Sequence, residues 1–101
     1  MMNSSLYVNQ FHQLVELLSL QNEVRAIGVS GLSPQPFGVS GSDLDIFVYC
    51  SRVPEQTRRA EVLERMASNL IGYKVGCLTG GHWGEADFTY LSSVETWIMY
   101  F

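Results

Sequence analysis

Asp43 and Asp45, one residue apart in an otherwise apolar run, restrict this chain more than any other pair of side chains. They open the stretch DLDIFVYC, whose Ile46, Phe47, Val48 and Tyr49 predict a central β-strand over Asp43–Cys50, buried on both faces. Successive side chains of a strand point to opposite faces, so the two carboxylates share a face at a separation of about 6–7 Å. That face cannot be ordinary core, because burying two like charges together without a cation is costly. A divalent metal site accounts for both residues at once. The run Val24–Val29 predicts a short strand before them, interrupted by Arg25 and ended by Gly28 and Gly31. Between the two strands, Ser30–Ser42 holds three glycines, four serines and two prolines. A loop of that length inside a small domain is usually functional. Its glycines permit close backbone approach and its serines supply hydroxyls, which suits a phosphate cradle.

Composition narrows the chemistry. A chain of 101 residues is one small domain, and 47% apolar residues against 16% charged ones describe globular material with some apolar surface for a partner to cover. Net charge is −4, from six basic and ten acidic residues without a basic run, so a generic grip on nucleic-acid backbone is not expected. An acidic domain that handles phosphates does so through metal ions and backbone amides. Cys50 and Cys77 are too few for a disulfide framework and lack metal-ligand spacing, which predicts buried reduced thiols in a cytoplasmic protein. The N-terminus has no secretory pattern, and no apolar run approaches the roughly 20 residues of a membrane span.

Along the chain, Val8, Phe11, Val15 and Leu18, widened by Leu14 and Leu17, predict an amphipathic helix over Leu6–Leu20, capped by Asn3 or Ser4, with His12 on its polar side. Pro54 and Glu55 open a second helix that Leu63, Met66, Ala67 and Leu70 carry to about Leu70, where Gly72 ends it. Arg58, Arg59, Glu61, Glu64 and Arg65 form its solvated face, from which Arg58 or Arg59 could reach a phosphate. Tyr73–Leu78 and Glu85–Leu91 read as strands joined by the turn TGGHWG, whose His82 and Trp83 either stack on a base or pack at the sheet edge. In the second of these strands Glu85, Asp87 and Thr89 alternate with Ala86, Phe88 and Tyr90. Ser92-x-x-Glu95 is a capping-box pattern, and Val94, Trp97, Ile98 and Phe101 continue it at helical spacing. This last helix has no stop signal, so residues 1–101 are expected to form one domain at the N-terminal end of a longer protein. Its apolar face would pair with a helical partner or a second copy. The order predicts an α+β (mixed α/β) fold: a mixed sheet of about four strands with helices mainly on one face.

Asp43 and Asp45 on one strand, with Asp87 on a neighbouring one, would form a carboxylate set for two magnesium ions, with manganese as a substitute. Asp87 is preferred to Glu85 by its setting before Phe88.

The strand, the Gly/Ser loop and Ser42-Asp43-Leu44-Asp45-Ile46 resemble the nucleotidyltransferase superfamily of DNA polymerase beta, closest to its small prokaryotic members. The resemblance spans nearly the whole chain. It implies transfer of a nucleoside monophosphate from an NTP, ATP being the first candidate, to an acceptor hydroxyl. Asp43, Asp45 and Asp87 would be the catalytic metal ligands, and Ser30, Gly31, Ser33 and Ser42 would line the phosphates. The family's Gly-Ser doublet is replaced by Gly31-Leu32, so the hydroxyl falls to Ser30 or Ser33. The alternative is a catalytically degenerate, nucleotide-binding or regulatory module.

Overall fold

The computed structural model describes residues 4–30, 43–66, 70–78, 84–91 and 94–101. Its elements run α1 (Ser4–Ser19), β1 (Val24–Ser30), β2 (Asp43–Cys50), α2 (Gln56–Glu64), β3 (Leu70–Leu78), β4 (Glu85–Leu91) and β5 (Val94–Tyr100). The five strands make one mixed sheet in the order β1-β2-β5-β4-β3, in which only β2 and β5 are parallel neighbours.

Both helices pack on one face of this sheet. Leu14 and Leu18 of α1, with Val62 and Leu63 of α2 and Met66 just beyond it, close over Leu44, Ile46 and Val48 of β2, Leu91 of β4, and Val94, Ile98 and Tyr100 of β5. These side chains are spaced by about one helical turn on the helices and by two on the strands, the periods that give each element one apolar side. In β2 the alternation is strict: Leu44, Ile46 and Val48 are fully buried, while Asp45 and Phe47 are half-buried and Tyr49 is exposed. The strand is interior to the sheet but buried on one face, not two.

Two boundaries differ from the sequence expectation. The second helix stops at Glu64, and Leu70, expected on its apolar stripe, instead pairs with Leu91 across the β3–β4 hairpin. Arg59 is not on a solvated face; it is 1% exposed. The larger difference is the last element. Val94–Tyr100 is a strand, not a capped helix, and it adds the fifth strand at the centre of the sheet. Read with period two, Val94, Thr96, Ile98 and Tyr100 point into the core, whereas Glu95 is exposed and Trp97 is half-buried on the other side. Backbone bonds to strands on both sides, and the β-branched and aromatic content of VETWIMY, outweigh the local capping signal. The helical stripe of Trp97, Ile98 and Phe101 therefore does not form, since Ile98 is core and Phe101 is 36% exposed.

One glycine is required by this arrangement. Gly84 enters β4 with φ +67°, and a Cβ there would collide with the Tyr100 carbonyl oxygen of β5. Among the described residues, no helix is long and apolar enough to cross a membrane.

Candidate functional site

Register decides which carboxylates can act together. Asp45 lies between Ser30 of β1 and Trp97 of β5, and Trp97 in turn pairs with Phe88 of β4. Directly paired residues share a face, so Asp45, Trp97 and Phe88 lie on the sheet face away from the helices. Asp43 opens β2 in register with Glu95 of β5, whose exposed side chain lies on that same face. Asp87 pairs with Ile98, which pairs with Ile46, and these belong to the helix-covered face. The expected trio is therefore divided: Asp87 is on the opposite side of the sheet from Asp45.

Asp87 already has a partner there. Its carboxylate, 1% exposed, accepts from Arg59 through Nε at 3.1 Å and Nη2 at 3.2 Å, and from the Gly76 backbone N–H at 2.9 Å. Arg59 also donates through Nη1 to Glu85 Oε1 and to the Pro54 carbonyl, both at 2.8 Å, and its guanidinium lies 5.1 Å from the Tyr100 ring centre. Burial pushes the Asp87 carboxyl above its ordinary pKa, against the downward pull of Arg59 and the Gly76 amide. Burial works against the charge of Arg59, but its bonds to Asp87 and Glu85 outweigh that and raise its pKa. This is a buried ion pair that ties α2 to β4, with its polar atoms occupied inside the protein. Arg58, the other arginine considered for phosphate, pairs with Glu23 at 2.6 Å beside β1.

The remaining expected site residues fall into two groups. Ser30 is exposed at the end of β1, beside Asp45. Gly31, Ser33 and Ser42, together with His82 and Trp83, lie outside the described residues. Cys50 and Cys77 are free, half-buried thiols. Among the described residues no three His, Cys, Asp or Glu side chains converge on a metal position, and the Asp43 side chain is not among those described.

Sequence reading missed Glu95 as a site residue, since it was assigned to a helix cap. The signal was available in VETWIMY, where Val94, Thr96, Ile98 and Tyr100, each β-branched or aromatic, recur at every second position. On the same face, beyond Trp97, lies a hollow of about 570 Å³ bordered by Phe88, Tyr90, Trp97 and Glu95. The Phe88 ring centre is 4.8 Å from that of Trp97 and 5.0 Å from that of Tyr90. No family model, curated protein or solved structure matches this chain.

Proposed function

We propose that this chain is a nucleotidyltransferase-like domain that uses magnesium, or manganese, to transfer a nucleoside monophosphate from an NTP such as ATP to an acceptor hydroxyl. The observation that carries the proposal is the register around Asp45: Ser30 on one side, and on the helix-free face the Asp43/Glu95 pair one step along the strands. The donor set fits a hard divalent ion, because Asp43, Asp45 and Glu95 bring carboxylates to neighbouring register positions of β2 and β5. These three residues would hold the metal, which supplies charge neutralisation for the triphosphate and a lowered pKa for the acceptor hydroxyl. Asp87 is left out of the set, since Arg59 and Gly76 occupy it on the other face.

In the reaction the acceptor oxygen bonds to the α-phosphorus while the bond from that phosphorus to the bridging oxygen breaks. Pyrophosphate leaves with the electron pair, and the hydroxyl proton passes to a carboxylate oxygen, for which Glu95 is the exposed candidate. Ser30 contributes a hydroxyl on the phosphate side of Asp45. Reduced thiols at Cys50 and Cys77 suit a cytoplasmic setting.

A second reading, binding without turnover, is favoured by one observation: the β5 residue directly beside Asp45 is Trp97, an apolar ring and not a third aspartate. Calorimetry with ATP, with and without magnesium, and transfer of label from α-labelled ATP separate the two. Transfer requires metal-dependent binding that Asp43→Asn and Asp45→Asn each weaken about tenfold or more. Metal-dependent binding without label transfer to any acceptor selects the second reading. Binding indifferent to Asp43→Asn and Asp45→Asn would overturn both.

A further inference from the structure

The face that carries Asp45 also carries a continuous cross-strand row. Asp45 of β2 pairs with Trp97 of β5, Trp97 with Phe88 of β4, and Phe88 with Lys74 of the edge strand β3. At strand spacings of about 4.8 Å the backbones of Asp45 and Lys74 are roughly 14 Å apart, close to the length of a nucleotide. The hollow lies over its middle and is lined by Gly72, Lys74, Phe88, Tyr90, Glu95 and Trp97. Its volume of about 570 Å³ accepts a single nucleotide with room for water.

We propose that this hollow seats the base of an acceptor nucleotide, stacked on the Trp97–Phe88–Tyr90 platform with its phosphate toward Lys74. Three observations select a nucleotide over other occupants. The Phe88 ring stands edge-on to Tyr90, at 85°, and is tilted by 58° to Trp97. Each ring borders the hollow and offers a π-surface on which a base can stack. The cation of the hollow is at its outer rim, where it meets an anionic group attached to a stacked base and not the base itself. The hollow also starts at Trp97, the neighbour of Asp45 on the side away from Ser30. In-line displacement puts the attacking hydroxyl opposite the leaving pyrophosphate, so phosphates on the Ser30 side put the acceptor on the Trp97 side. The acceptor role rests on the transfer reading above; the seat for the base does not.

Gly72 provides a clean probe. A Cβ added there meets no atom within 4 Å, so a side chain grows into the hollow without displacing the protein. In a Trp83→Phe background Trp97 is the sole indole of the chain, and its fluorescence is titrated with AMP, GMP, CMP and UMP in EDTA. Saturable quenching by at least one nucleotide, and none by ribose 5-phosphate, is expected. Gly72→Leu should abolish it with the melting temperature unchanged, and Phe88→Leu should weaken it about tenfold. Lys74→Met should reduce AMP affinity to that of adenosine while leaving adenosine unaffected. EDTA removes any metal from the titration, which keeps this result separate from the fate of the metal site. Absence of saturation for all four nucleotides up to about 1 mM overturns the seat. So does equal quenching in Gly72→Leu, or a concentration-dependent dimer in sedimentation that Gly72→Leu abolishes. Displacement of AMP by ATP with magnesium, in place of simultaneous binding, overturns the acceptor role.

Discussion

Arg59→Met tests whether the Asp87 cluster is structural. The substitution keeps the buried stem of the side chain and removes the charge. It breaks both guanidinium bonds to Asp87, at 3.1 and 3.2 Å, and leaves the Pro54 carbonyl without its 2.8 Å donor. Glu85 can turn to solvent, because its side chain is 35% exposed, but Asp87, 1% exposed, cannot. It would retain one partner, the Gly76 amide. Breaking a buried pair from one side costs about 3–5 kcal/mol. For a domain of this size that lowers the melting temperature by at least about 12 °C. The deficit should depend on pH. Without Arg59 the Asp87 carboxyl loses its strongest downward pull and its pKa rises further above the ordinary 3.8. A carboxyl raised in the folded state keeps its stability contribution below the unfolded pKa and loses it as pH rises through the folded value. Arg59→Met should therefore lie closer to the parent chain at pH 4 than at pH 7 in urea denaturation. Replacing both partners, Arg59→Met with Asp87→Leu, should recover much of the loss, since an apolar pair of similar volume is often neutral. A cost below about 1 kcal/mol for Arg59→Met, or a deficit that grows toward acid pH, would refute the reasoning.

Gly84→Ala should destabilise the fold by more than about 1 kcal/mol, measured by chemical denaturation, because φ is +67° and the new methyl meets the Tyr100 carbonyl. Tyr100 is 1% exposed, and burial raises its pKa above the ordinary 10.0 despite the hydrogen bond it accepts from Gln21 Nε2 at 3.3 Å. Its contribution is fully present below pH 10 and is lost as pH rises further, so Tyr100→Phe should flatten the alkaline limb of the stability profile; an unchanged limb would assign that limb to other groups.

The two halves of the sequence differ in how much they disclose, and the cause is physical. In the first half the local pattern places the elements, although β2, whose Ile46, Phe47, Val48 and Tyr49 read as buried on both faces, is covered on one. The leucine stripe of α1 has a single apolar side, and Leu44, Ile46 and Val48 of β2 alternate onto the covered face. The second half is written in residues that satisfy two periods at once. Val94, Trp97, Ile98 and Phe101 sit at helical spacing, while Val94, Thr96, Ile98 and Tyr100 sit at strand spacing, and both sets are apolar enough to fill a core. A capping box contributes about 1 kcal/mol or less, whereas a strand inserted between β2 and β4 satisfies its backbone groups on both edges.

That ambiguity is also why Asp87 was expected on the same face as Asp45. Glu85, Asp87 and Thr89 do share a face, as their spacing indicates, but spacing alone cannot say which face of the sheet the helices cover. Arg59 answers the question. It sits on α2, is buried, and lies between Pro54 and the Asp87/Glu85 pair, so the acidic side of β4 must be the side under the helix. Once β5 is a strand between β2 and β4, Asp43 acquires Glu95 as its neighbour and Asp45 acquires Trp97. Placing β5 therefore removes Asp87 from the candidate centre and supplies Glu95. It also sets Trp97 beside Asp45 and Phe88 beside Trp97, a row that no reading of separate segments could have assembled.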